Sequence, residues 1–253
     1  MRFASLGSGS KGNATLVEVG DTLLLIDCGF SCQETEKRLC GLALQPADVT
    51  AILVTHEHSD HISGVGRFSR RHGLPVWMTA GTEAAHKGGK LAAWHCFNAH
   101  QHFAIGDVLI QPFPVPHDAR EPCQFVFSDG VRRLGLLTDT GSVTPHIVRA
   151  LDRLDALILE CNHDPELLAG GSYPWHLKKR VGGRLGHLSN QQAADLLSRI
   201  DTGRLQHLIA AHLSENNNRV HLVHELLSAV AACRHAEIMV ADQPGGMPWK
   251  TLE

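Results

Sequence analysis

Residues 51–61 read Ala51-Ile52-Leu53-Val54-Thr55-His56-Glu57-His58-Ser59-Asp60-His61. An apolar run of strand type passes directly into a cluster of metal-ligand residues. In extended chain, side chains two apart point to the same side. His56 and His58 can therefore share one metal ion. If the chain then turns into a helix, Asp60 and His61 reach a second ion beside the first. This is not the zincin pattern, because HExxH needs a histidine where Asp60 stands. The competing reading is a histidine-rich surface loop.

Three further segments argue against that loop. His117 follows the apolar run 108–116, Asp139 follows Arg133–Thr138, and His212 follows Leu205–Ala211. Each is a ligand-type residue at the C-terminal end of a strand-like run. Sites in layered α/β proteins collect at such ends.

Composition sets outer limits. The chain has 253 residues, the length of one large domain or two small ones at roughly 100–200 residues each. No linker or repeat divides it, so a single domain over 1–253 is expected. With 43% hydrophobic and 19% charged residues, it has the balance of a folded globule and not of a disordered or fibrous chain. Nothing approaches the apolar run of a membrane-spanning helix. The first residues lack the apolar centre of a signal peptide, which makes the cytoplasm the expected location. The seven cysteines include no CxxC pair, so they read as free thiols and not as a zinc ribbon. A net charge of −3 excludes a global basic coat, and a nucleic-acid role requires a local patch. The 18 histidines stand against a single tyrosine; which of them carry chemistry is decided by position alone.

Apolar runs recur at Thr22–Asp27, Ala51–Thr55, Pro75–Thr79, Val108–Val115, Arg133–Thr138, Ala156–Glu160, Leu205–Ala211 and Ala236–Ala241. Near-continuous runs of this kind suit sheets buried on both faces. Helices are expected over Gln33–Leu42, Asn190–Ile200 and Val220–Arg234. The second has a capping box, Ser189 with Gln192. The third places Leu222, Leu226, Leu227 and Val230 on one face. Between Gly170–Gly171 and Gly182–Gly183 lies a basic stretch that reads as an ordered functional loop. The whole reads as a layered α/β protein.

The series HxHxDH, a later histidine, Asp139 in TDTG and a final histidine resembles the metallo-β-lactamase-fold hydrolases. The likeness runs through nearly the whole chain. It implies an αββα sandwich with two mixed β-sheets. It also implies a ligand set: His56, His58 and His117 on one metal, Asp60, His61 and His212 on the other, and Asp139 bridging both. Asp27 in LLIDCG matches a supporting residue. Two divalent ions roughly 3.5–4 Å apart clamp the attacking and substrate oxygens, and this donor set admits Zn²⁺, Mn²⁺ or Fe.

The segment Gly186-His187-Leu188-Ser189-Asn190 resembles the extra histidine motif of the RNase Z and YycJ/WalJ-like branches. It implies that His187 protonates a leaving oxygen or steadies a phosphate. Just upstream, Tyr173-Pro174-Trp175-His176-Leu177-Lys178-Lys179-Arg180 joins rings to cations, the equipment for gripping a nucleic-acid strand. A solvated charged face is the alternative reading. The opening LGSGSKGNATLVEVG, ECNHDPELL with His163, GHLSN and AHLSEN together resemble the YycJ/WalJ-like subgroup. That likeness implies a 5′-to-3′ exonuclease acting on DNA, with RNA as the other nucleic-acid substrate. Asp60 and His187 would be catalytic, and His163, Tyr173, Lys178 and Arg180 would contact substrate. A loop at Ser8–Asn13 would lie near the site. A small-molecule hydrolase for a thioester, lactone or cyclic phosphodiester is the alternative on the same fold. Residues 140–211 leave no room for the large inserted domain of RNase J-type nucleases.

Overall fold

The computed structural model describes residues 1–230 and 235–253. The first half of the chain supplies strands β1 (Arg2–Gly7), β2 (Ala14–Val19), β3 (Thr22–Ile26), β4 (Ala51–Leu53), β5 (Pro75–Met78) and β6 (Ala93–Cys96). The chain that follows supplies β7 (Phe103–Ile105), β8 (Val108–Pro114), β9 (Cys123–Ser128), β10 (Arg133–Leu137), β11 (Ala156–Glu160), β12 (His207–Ala211) and β13 (Glu237–Val240). Strand β14 (Met247–Thr251) returns to the first sheet. The two sheets have the orders β14-β1-β2-β3-β4-β5-β6 and β13-β12-β11-β10-β9-β8-β7. Both mix parallel and antiparallel pairs.

Helices cover the outer faces: α1 (Cys32–Gly41), α2 (Ser59–Ile62), α3 (Val65–His72), α4 (Ala80–Ala85), α5 (Pro145–Ala150), α6 (Pro165–Gly170), α7 (Trp175–Val181), α8 (Asn190–Leu197) and α9 (Val220–Ala229). The period of 2 along each strand explains the four layers. In β3, Leu24 and Ile26 join the core between the sheets, while Leu23 and Leu25 pack under α1 and α3. In β12, Ile209 and Ala211 face the central core, while Leu208 and Ala210 face the α8–α9 layer. Such strands are apolar on both sides, which is why the sequence shows continuous runs and not alternation. The arrangement is the expected αββα sandwich.

Two sequence expectations need correction. The basic stretch between the glycine pairs is not a loop: α7 occupies Trp175–Val181, started by Pro174 in extended backbone and ended at Gly182. The third expected helix spans Val220–Ala229, and positions 231–234 of that expectation lie outside the described residues. The capping box at α8 is present in full.

The topology gathers one set of strand ends. Strand β8 is antiparallel to β9, which is antiparallel to β10, and β10, β11 and β12 run parallel. The C-terminal ends of β8, β10, β11 and β12 therefore lie on one edge of their sheet. In the other sheet β3 and β4 are parallel and end together.

Candidate metal centre

Among the described residues, three of the five non-glycine residues at positive φ are Asp27 (60°), Asp139 (50°) and His212 (55°). Each sits one or two positions beyond a strand end. Left-handed backbone costs a non-glycine residue about 1–3 kcal/mol and persists where the surroundings enforce it. Here the turn swings each side chain back over the sheet edge into one cluster. Helix α2 begins immediately after His58, so Asp60 and His61 lie in its first turns as the sequence suggested. Gly29 permits this packing, because a Cβ there would lie 1.7 Å from the Asp60 carbonyl oxygen.

The inward atoms form two groups. His56 Nε2 and His117 Nε2 each lie 3.1 Å from His58 Nδ1. Asp60 Oδ2 lies 3.5 Å from both His61 Nε2 and His212 Nε2. Asp139 stands between them, with Oδ2 3.1 Å from His61 Nε2 and Oδ1 3.9 Å from His117 Nε2. Asp139 Oδ2 and His212 Nε2 are buried without a hydrogen-bond partner among the described residues.

Each histidine anchors its other nitrogen outward. His61 Nδ1 donates to Asp27 Oδ2 (2.7 Å). His56 Nδ1 donates to Thr55 Oγ1 (2.9 Å), whose hydroxyl donates to Asp27 Oδ2 (2.9 Å). His58 Nε2 donates to the Asp118 carbonyl (3.2 Å) and His117 Nδ1 to the Gly186 carbonyl (3.0 Å). His212 Nδ1 donates to Glu160 Oε1 (3.0 Å). Outward-anchored imidazoles with converging inner nitrogens are the habit of metal-binding histidines. Nitrogens at 2.0–2.1 Å from a tetrahedral ion stand about 3.3 Å apart, close to the separations here. The donor set fits divalent metal ions.

Electrostatics agrees. Burial and neighbouring imidazoles hold His56 well below its ordinary range, and burial lowers His117, leaving both in the neutral, ligating form. Burial opposes a charge on His212, but Asp139, Asp60 and Glu160 prevail and push it up to about 10. His61 is also raised, by Asp139, Asp27 and Asp60 against its burial. In the metal-free chain these protons stand in for cations. A proton with a raised folded pKa stabilises the chain below the ordinary value of 6.5, and this contribution is lost as pH rises towards about 10. The metal-free protein is therefore expected to lose thermal stability across that window. Metal uptake at neutral pH is expected to release protons, which calorimetry in buffers of different ionisation enthalpy would register. A pH-independent affinity would contradict this.

The sequence reading missed Glu160. It is fully buried at the end of β11 and accepts five hydrogen bonds. The donors are the backbone N–H groups of Asp139, Thr140 and Leu188 and the Nδ1 atoms of His187 and His212, at 2.8–3.2 Å. Burial alone would raise its carboxyl, but His187 and His212 hold it down at about 2. The one available signal was an acid closing an otherwise apolar strand, ALILE. Asn13 was foreshadowed only as part of a nearby loop. Its amide nitrogen lies 3.3 Å from Asp60 Oδ2 and 3.1 Å from His61 Nε2.

A cleft of about 340 Å³ opens over the cluster, lined in part by His58, Asp60, Asp139, His187, Tyr173 and Arg180. Arg180 Nε donates to Asp118 Oδ2 at 2.7 Å. Of the expected substrate contacts, Tyr173 and Arg180 reach this cleft. Lys178 and His163 do not: both line a separate hollow on the other side of α7, Lys178 because positions 178 and 180 diverge on a helix and His163 because it lies between β11 and α6.

A family model described as the β-lactamase superfamily domain matches residues 22–212. The chain belongs to that superfamily. Within it, the chain is 37% identical over 234 residues to exodeoxyribonuclease YycJ of Bacillus anthracis, covering 91% of this chain and 89% of that protein. It is 36% identical over 229 residues to exodeoxyribonuclease WalJ of Streptococcus pneumoniae serotype 2 (strain D39), covering 88% and 85%. Among solved structures, the metallo-β-lactamase fold protein YhfI of Bacillus subtilis superposes with a TM-score of 0.77 at 20% identity, over 99% of both chains. That likeness supports the fold. The superfamily and the YycJ/WalJ relatives bear out the resemblance drawn from the motifs.

Its contacts give Asp27 a testable role as the residue that aims His61 and steadies Thr55. Asp27→Asn is expected to weaken metal affinity about 10–100-fold, the usual cost of losing a supporting carboxylate. Unchanged affinity in a chelator competition would refute that role.

Proposed function

We propose that the chain acts as one metallo-β-lactamase-fold domain over 1–253. In this reading it is a metal-dependent phosphodiesterase that removes nucleotides from DNA in the 5′-to-3′ direction. The observation that carries the reading is the joining, in one cleft, of a two-ion donor set, the His187–Glu160 pair and Arg180. The names of the YycJ and WalJ relatives support it. Among the described residues no helix is long and apolar enough to cross a membrane.

His56, His58 and His117 would hold one divalent ion, Asp60, His61 and His212 the other, and Asp139 both, with Zn²⁺ or Mn²⁺ suited to these donors. Bound there, such ions make water nucleophilic at neutral pH and neutralise charge on phosphate oxygens. The chain's own groups do the rest. Arg180, at the cleft mouth, draws in the phosphodiester. His187 has Nδ1 fixed on Glu160 at 2.8 Å, so Nε2–H is its available proton. Burial works against a charged His187, yet Glu160 and Asp139 raise it above its ordinary value. In this reading His187 gives its Nε2 proton to the leaving 3′-oxygen.

Charge reversal separates this from a small-molecule hydrolase. Arg180→Glu is expected to lower kcat/KM on DNA about ten-fold or more, with a weaker salt dependence, because a phosphate contact is lost. Turnover of a small neutral thioester or lactone would be unaffected by that charge. Equal losses on both substrates, or no loss on DNA, would overturn the proposed role of Arg180 and the polyanion reading built on it.

A further inference from the structure

Helix α7 has two working faces. Leu177, Arg180 and Val181 line the metal cleft, while Trp175, Lys178, Lys179 and Gly182 line a hollow of about 620 Å³ against α6. The floor of that hollow includes His163, only 4% exposed. Its Nδ1 is buried without a partner, and its ring makes no hydrogen bond among the described residues. Leu168 and Ala169 add apolar wall. At the rim stands Trp175, 78% exposed, with no ring contact among the described residues. A bare indole, an unpaired buried imidazole and Lys179 around one hollow are unexplained by folding alone.

We infer that this hollow is a nucleobase subsite for an unpaired stretch of the substrate strand, an inference that rests on the nucleic-acid reading above. Trp175 offers a stacking face, His163 meets the base edge from beneath, and Lys179 serves the adjoining phosphate. A purely apolar guest would leave His163 unpaired. A base has both a π face and polar edge atoms. A base inside a duplex has its faces stacked and its Watson–Crick edge paired, so the guest is a single-stranded nucleotide. Helix α7, about 10 Å thick, lies between hollow and metal cleft. The bound base therefore stands a few nucleotides along the strand from the reacting phosphate.

The test is binding of the metal-loaded protein to a short phosphorothioate-linked oligothymidylate, with one abasic residue moved stepwise along the strand. Trp175→Ala is expected to bind about ten-fold more weakly, the scale of one stacked base. Trp175→Phe should restore most of the loss. An abasic residue at one position, a few nucleotides from the reacting phosphate, should weaken the unmodified protein about ten-fold and Trp175→Ala no further. Equal binding by Trp175→Ala, or an abasic penalty that survives in it, would overturn the subsite. Cleavage of a natural oligonucleotide, followed alongside, keeps the two readings apart. Cleavage without Trp175-dependent binding removes the subsite and leaves the nuclease. Trp175-dependent binding without cleavage of any strand supports the subsite and removes the nuclease.

Discussion

Asp139→Asn is expected to lower the exonuclease rate about 10³-fold, the scale of several kcal/mol of lost charge stabilisation at a two-metal site. Among the described residues, only Asp139 has a carboxylate that faces both groups of ligands, 3.1 Å from His61 Nε2 and 3.9 Å from His117 Nε2. Asparagine keeps the shape and removes the charge. Metal content should fall together with activity, while circular dichroism stays unchanged. The same variant should depress the raised pKa values of His61 and His212, since Asp139 is the largest attractive influence on each. A variant that retained full metal content and rate would show that the bridging position has been misassigned.

Glu160→Gln should cost about 10–100-fold in rate, in the range for residues that orient a ligand from behind. Glu160 is a positioning residue: it holds His212 Nδ1 at 3.0 Å and His187 Nδ1 at 2.8 Å. A purely structural role would lower the rate at every pH alike. The account predicts more. Glu160 raises His187, and a general acid works only while protonated, so activity is lost as pH rises through its pKa. Without the carboxylate charge that pKa falls, and the alkaline limb of the profile should move to lower pH. A rate loss with an unmoved alkaline limb would remove His187 as the proton donor.

The contrast between Asp139 and Glu160 shows what this sequence discloses. Asp139 stood in a recognisable setting, TDTG after an apolar run, and its role was carried by the motif series. Glu160 had no motif. It matters because β10 and β11 pair in parallel with Leu137 opposite Leu159, which brings Glu160 beside Asp139. That neighbourhood is a product of sheet order and not of local sequence. The strands buried on both faces were legible because their apolar runs are continuous. Strand β6 was not: Ala93–Cys96 lies exposed on an edge and has no pattern to read. Helices α3, α4 and α5 span only six to eight residues each, too short for a periodicity to declare itself.

The basic segment teaches a related lesson. Flanking glycines gave it the look of a loop, and Tyr173, Lys178 and Arg180 were read as one patch. As a helix, α7 parts Lys178 from the other two. Arg180 turns to the metal cleft and Lys178 to the hollow, where its ammonium donates to the Ala169 carbonyl at 2.6 Å. Helical geometry therefore converts a single basic run into two contact surfaces on opposite sides of one element.

The central claim is that the metal centre cleaves DNA from its 5′ end. It is tested most directly with duplex DNA labelled at either the 5′ or the 3′ end, incubated with the protein and Mn²⁺ or Zn²⁺, with Asp139→Asn as control. The account predicts that 5′ label is released first as mononucleotide while 3′-labelled strands shorten progressively, and that the variant does neither. Intact strands in the presence of a protein shown to carry two metal ions would contradict it.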